Sequence, residues 1–194
     1  MAIACPLDLN TAALRSEISS IYGRVASEPD GEFHFHRGPA YAAGFLGYSA
    51  DELAALPSDC TASFAGVGNP LAIGQIRSGE TVVEIGSGAG MDLLLAARRT
   101  GPAGRAIGVD MTDAMIERAR KSAAETGLPQ VEIRKGDATS LPVADASVDV
   151  VISNGVLNLE GFQGLWSKAM RNLREIDFHP GVSPKHGSPS VSGE

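Results

Sequence analysis

The chain has 194 residues, 43% hydrophobic and 20% charged, which is enough apolar matter for a packed core and excludes disorder throughout. Sixteen Lys plus Arg stand against 23 Asp plus Glu, and the net charge of −7 argues against a nucleic-acid-binding surface. No apolar run approaches the roughly 18 residues of a membrane span, no basic segment followed by an apolar one opens the chain, and the two cysteines, Cys5 and Cys60, make no disulfide framework. The expectation is a cytoplasmic protein without membrane contact.

In chain order, Leu14, Ile18, Ile21, Tyr22 and Val25 recur at helical spacing and predict an amphipathic helix over 8–26. A polar loop, 27–38, follows. A short helix then opens at Ser49, which can cap it, with Glu52 completing a capping box, Tyr48 able to pack on Leu53 as a staple, and Pro57 ending it. From Thr81 onwards strands and helices alternate. Strands are predicted over 81–85, 105–109, 131–134 and 148–153. A helix over 91–99 ends at Gly101 and Pro102, with Arg98 and Arg99 at the negative end of its dipole. A second, capped by Thr112, carries Met115, Ala119 and Ala123 on one face. This alternation implies a parallel sheet with right-handed crossovers. One more amphipathic helix is predicted around Phe162, Leu165, Trp166, Ala169, Met170 and Leu173, and the Pro-, Gly- and Ser-rich stretch 177–194 reads as a disordered tail.

The strongest chemical signal is Glu84-Ile85-Gly86-Ser87-Gly88-Ala89-Gly90, between a predicted strand and a predicted helix. Gly86 permits a tight turn, Gly88 lets a ligand approach the backbone, and Gly90 allows the helix to pack closely on the sheet. The spacing is one residue shorter than a dinucleotide-binding G-x-G-x-x-G, and an acid precedes the first glycine by two. A carboxylate there suits a ligand with positive groups better than a diphosphate, and S-adenosylmethionine carries a sulfonium and an ammonium. Asp110, 20 residues after Gly90, can accept both ribose hydroxyls. Asp137 can accept from the adenine amino group, and Met111 can lie against the adenine face. The plainer readings are that such a glycine loop serves packing alone, that Asp113 is a first-turn helix charge, and that Asp145 and Asp149 are solvated turn residues. His34 and His36 share a face at strand spacing but lack a third ligand, so no metal site is assigned.

These stretches resemble the class I S-adenosylmethionine-dependent methyltransferases, and more narrowly the arsenite methyltransferases. The resemblance runs from about Tyr22 to Leu159 and includes Leu46-Gly47-Tyr48-Ser49, Gly68-Asn69-Pro70, Gly86-Ser87-Gly88-Ala89-Gly90, Gly108-Val109-Asp110-Met111-Thr112, Leu141-Pro142-Val143-Ala144-Asp145 and Ile152-Ser153-Asn154. It implies a Rossmann-like α/β sheet and S-adenosyl-L-methionine as cofactor. The cofactor-binding set is Glu84, Gly86, Ser87, Gly88, Gly90, Asp110, Met111, Asp137, Ala138 and Asn154, with no catalytic residue assigned. The implied activity is methyl transfer to trivalent arsenic held by cysteine thiolates, with positioning carrying most of the catalysis.

The sequence departs from the family pattern in two places. Where the family has cysteines, before Gly-Asn-Pro and after Ser-Asn, this chain has Val67 and Gly155. Cys60, seven residues before Val67, is a thiol that loop movement could bring to the site; otherwise it is a small buried or surface thiol. The second departure is truncation. About four parallel strands are countable where the family has seven, so the expected organisation is an N-terminal helical extension (1–70), an incomplete methyltransferase domain (71–176) and the tail. The fourth strand would then have an unpaired edge open to self-association. Three functions follow: an arsenite methyltransferase-type enzyme taking an arsenite–thiol complex, a methyltransferase for another small molecule, or a non-catalytic cofactor-binding fragment or interaction module.

Overall fold

The computed structural model describes residues 11–28 and 31–156. The helix predicted near Trp166, the 177–194 tail and Cys5 lie outside the described residues.

Four parallel strands form one sheet: β1 (Thr81–Ile85), β2 (Arg105–Asp110), β3 (Val131–Lys135) and β4 (Val150–Ser153), in spatial order β3-β2-β1-β4. The chain builds outward from β1 through β2 to β3, then returns to the other side of β1. This places a topological switch between β1 and β4, and open α/β sheets bind ligands at the carboxyl ends beside such a point. The register pairs Glu84 with both Gly108 of β2 and Ile152 of β4. β1 is buried at all five positions, as expected of a central parallel strand.

Helix α1 (Thr11–Ser27) buries Val25 and half-buries Ile18 and Tyr22, whereas Ile21, predicted on the apolar face, is 41% exposed. Two helices were not predicted. α2 (Gly38–Leu46) begins with Pro39 in its first turn and stops at Gly47 in the left-handed conformation, φ 74°. α4 (Ser58–Ala62) follows Pro57, so the proline that ends one helix also precedes the next. Between them α3 (Ala50–Ala54) is capped by Ser49, whose hydroxyl accepts from the Glu52 amide at 3.3 Å. Tyr48 and Leu53 share the core beneath it.

α5 (Met91–Thr100) and α6 (Asp113–Thr126) pack on one face of the sheet. Leu93 of α5 sits over Gly108, where a Cβ would come within 2.6 Å of its Cδ2. Arg98 and Arg99 do more than complement the dipole, since they donate to the Ala55 and Leu71 carbonyls at 2.6 and 2.7 Å and tie α5 to the N-terminal helices. Thr112 precedes α6, but its side chain makes no cap bond. Its amide donates instead to Asp110 Oδ1 at 2.8 Å. The other face holds Val83, Ile85, Ile107 and Val109, covered among the described residues by Ala138, Leu141, Val143, Val148 and Val156. Asp149 is not a solvated turn residue. Its Oδ2 accepts the Thr81 amide and its own amide donates to the Thr81 carbonyl, at 2.8 and 2.9 Å, fastening the start of β4 to β1. Among the described residues β4 has β1 as its one strand partner, and no helix is long and apolar enough to cross a membrane.

Candidate functional site

A cavity opens at the carboxyl ends of β1, β2 and β4, beside the switch. It is walled by the glycine loop, Asp110, Met111, Asp137, Ala138 and Asn154, so all the predicted cofactor residues except Gly90 line one space. Gly90 stands just behind it.

The loop is held by backbone bonds. The amides of Gly86 and Ser87 donate to the Val109 carbonyl at 2.8 and 3.1 Å, and the Gly90 amide donates to Ser87 O at 2.9 Å. Gly86 has φ +72°, and any Cβ there would collide with Val156. A Cβ on Gly88 would meet nothing within 4 Å, so this glycine faces open space, as a ligand-approach position should. The close approach at Gly90 is to α6, through Ala119, 3.6 Å from where a Cβ would lie. The residue that lets α5 settle on the sheet is Gly108, one strand over.

Glu84 is 3% exposed, and its Oε2 has no hydrogen-bond partner. Its carboxylate draws on the Leu93 amide in the first turn of α5, a favourable place for negative charge. Burial nevertheless pushes its pKa well up, and the neighbouring Asp92 and Asp110 push the same way. Asp110 is also raised by burial, against hydrogen bonds from Thr112 and Gly88 that favour its charge. Its Oδ2 accepts the Gly88 amide at 2.8 Å, so Asp110 anchors the glycine loop as well as facing the cavity. Asp137 closes an Asx turn, its Oδ1 accepting the Thr139 amide at 2.6 Å and the Thr139 hydroxyl, and these bonds hold its pKa low. Ser87 Oγ is a second buried atom without a partner.

Two residues of this site were missed, Tyr48 and Asp92. Asp92 is 2% exposed in the first turn of α5, and its two oxygens accept from the Tyr48 hydroxyl (2.6 Å) and from Asn154 Nδ2 (2.9 Å). Asn154 Oδ1 in turn accepts the Val67 and Gly68 amides, at 2.8 and 3.1 Å. Asn154 is therefore a clamp on loop 65–69, packed so closely that a Cβ on Gly66 would strike its amide. Burial raises both Asp92 and Tyr48. These partners lie 44 and 62 residues apart, and only the fold joins them.

The positions that depart from the arsenite methyltransferase pattern come together here. A Cβ built on Gly155 would lie 3.9 Å from Val67 Cγ1. Val67 is 65% exposed and Gly155 has φ +86°. Cys60 lies in the cavity wall but is 1% exposed, and its Sγ donates to the Pro57 carbonyl at 3.1 Å. Burial pushes the thiol up to about 12, so it is protonated at neutral pH. His36 stacks on Tyr41 and Phe45, with centroids 5.3 and 6.3 Å away. Among the described residues no three His, Cys, Asp or Glu side chains converge on a metal site.

Residues 76–177 match the methyltransferase domain family. An arsenite methyltransferase of Halobacterium salinarum is 50% identical over 114 residues, 59% of this chain and 29% of that protein. One of Aquipseudomonas alcaligenes is 37% identical over 91 residues, 43% of this chain and 26% of that one. The crystal structure of an arsenic (III) S-adenosylmethionine methyltransferase from Chlamydomonas reinhardtii superposes with a TM-score of 0.58 at 34% identity, over 63% of this chain and 44% of that one. The matched segment thus spans less than a third of these two curated relatives. A family match over more than half of the residues, on a parallel sheet that opens its cavity at the β1–β4 switch, makes this chain a member of the methyltransferase domain family, of the class I S-adenosylmethionine-dependent type.

Proposed function

We propose that the cavity at the β1–β4 switch binds S-adenosylmethionine through the chain's own acids and that the chain serves methyl transfer to a small molecule, on the plan of the arsenite methyltransferases. The observation that carries this reading is Glu84, a buried carboxylate with an unpartnered oxygen in a cavity walled by further acids. A buried polar atom without a partner costs about 1–3 kcal/mol, and a cationic ligand would supply the missing contact and the missing charge together. The residues fit such a ligand. Glu84 suits its ammonium, Asp110 its ribose hydroxyls, Asp137 and Met111 its adenine, and Gly88 leaves room for it. When bound, the cofactor supplies a methyl group activated on a sulfonium. The chain's part is to bind, to orient and to exclude water, since no proton need move for a lone pair to take the methyl group.

The test is titration calorimetry with S-adenosylmethionine and S-adenosylhomocysteine on protein shown by circular dichroism to be folded. One-to-one binding of either is expected, and a folded chain that takes up neither would sink the reading.

A second reading, an acceptor other than arsenic, is favoured by Val67 and Gly155. Neither offers a soft donor, and the Cys60 thiol is buried and protonated. Arsenite is therefore expected to bind weakly to the chain as it stands; tight one-to-one binding lost on Cys60→Ser would restore arsenic as the acceptor. Binding without turnover of any acceptor would mark a non-catalytic module. We also propose that β4, whose one strand partner among the described residues is β1, supports self-association, which light scattering of the purified chain would show as a mass above the monomer.

A further inference from the structure

Helix α1 lies outside the matched domain, residues 76–177, yet it closes one side of the cavity. Ile18 and Tyr22 line it, and the Tyr22 pKa is raised by burial and, secondarily, by the nearby Asp110 carboxylate. Arg15 shares their face of the helix, at the i, i+3, i+7 spacing. It reaches the Asp137 turn from more than 120 residues away in sequence. Its Nη2 donates to Thr139 Oγ1 at 3.3 Å, and its Nη1 stands 3.9 Å from Asp137 Oδ2.

This arrangement divides the work of the Asp137 carboxylate. Oδ1 is taken by Thr139, through both its amide and its hydroxyl. The hydroxyl that Asp137 accepts from is the same oxygen that Arg15 bonds, so guanidinium, hydroxyl and carboxylate form one chain. Oδ2 is the oxygen that Thr139 leaves for a ligand, and Arg15 faces it. We propose that Arg15 is a positioning residue for the cofactor: from a helix outside the domain it fixes the Asp137 carboxylate so that Oδ2 accepts the exocyclic amino group of a purine. Arg15 does not touch the ligand in this account; it acts through Asp137. The proposal rests on the reading that S-adenosylmethionine binds in this cavity.

The effect is modest, because the Arg15 and Asp137 side chains are 36% and 32% exposed and solvent screens the pair. The test is calorimetry with two ligands, S-adenosylhomocysteine and its analogue with hydrogen in place of the 6-amino group. Arg15→Ala should weaken S-adenosylhomocysteine about two- to fivefold, the range for an exposed ion pair, and leave the deamino analogue unchanged. Arg15→Lys should recover part of the loss. In an Asp137→Ala background the Arg15→Ala change should cost nothing further. Equal weakening of both ligands would show that α1 is only scaffold and overturn the proposal, as would no change in either or full additivity with Asp137→Ala. A folded wild-type chain that binds neither ligand would fail the cavity reading itself, an outcome distinct from these.

Discussion

The two sides of the cavity are built from opposite chemistry. The strand side presents Glu84, Asp92, Asp110 and Asp137, three of them with pKa values raised chiefly by burial. The loop side is Phe64, Ala65, Gly66 and Val156 around one amide, Asn154, with Val67 and Gly155 next to them in the chain. The strand side has its charges in place. The loop side keeps a frame that brings positions 67 and 155 together, but carries Val and Gly where the arsenite methyltransferase pattern has thiols. Donor atoms can change on such a frame without disturbing it, because Asn154 holds the Val67 and Gly68 backbone, not their side chains.

The largest effect is expected on the strand side, at Asp110. Asp110→Ala removes the carboxylate proposed to accept the ribose hydroxyls and frees the Gly88 and Thr112 amides together. Affinity for S-adenosylhomocysteine should fall by about 1.5–3 kcal/mol, the scale for hydrogen bonds to a charged group. Calorimetry checks it, and a loss below about 0.5 kcal/mol would mean that the acids are not the ligand-binding side.

Glu84→Gln comes next and separates stability from binding. Glu84 has its folded-state pKa raised, so the ligand-free chain binds more protons than the unfolded chain in the interval between the two values. Its contribution to stability is fully present below the ordinary carboxylate value near 4.5 and is lost as pH rises through the folded value. Removing the charge should therefore stabilise the ligand-free protein on the alkaline side, by about 1–3 kcal/mol, while weakening the cofactor. Thermal melts from pH 5 to 9 with and without S-adenosylhomocysteine check both signs. A variant less stable than wild type at pH 8 would show that the Leu93 amide bond outweighs the buried charge.

Much of the strand side could be read from the sequence because it is local. β1 runs Thr81–Ile85 as predicted, and the glycine loop, α5 and β2 follow within 30 residues. Glu84 and Asp110 sit where strand ends and motif spacing put them. Other features depend on distance. α4 is five residues long, and α6 holds it through Arg118, which donates to Ser63 Oγ at 2.8 Å, and Lys121, which donates to Asp59 Oδ2 at 2.6 Å. No window of the sequence shows such anchors. α2 carries two glycines and a proline in nine residues, a composition that reads as loop until its proline is seen at the first turn and Gly47 past its end. Tyr48 was visible as a candidate staple and within the resembling stretch Leu46-Gly47-Tyr48-Ser49, but nothing local showed that its hydroxyl reaches Asp92. Gly108 did leave a signal, a glycine inside a β-branched strand, which marks a close approach.

The smallest effect on stability is expected on the loop side, and it sharpens the contrast most. Val67 is 65% exposed, so Val67→Cys should cost within about 0.5 kcal/mol. Gly155→Cys should cost more, about 1–2 kcal/mol, because φ +86° penalises any side chain. A cysteine Sγ at 67 takes a γ position like that of Val67 Cγ1, which stands 3.9 Å from a Cβ at 155. Two thiols set this way can share one thiophilic As(III), whereas either alone offers a single bond. Arsenite titrated under reducing conditions should therefore bind the double variant much more tightly than either single variant or the wild type, with affinity for S-adenosylhomocysteine unchanged. If the double variant binds arsenite no better than Val67→Cys alone, the two positions do not converge in solution and the loop side has lost its frame as well as its donors.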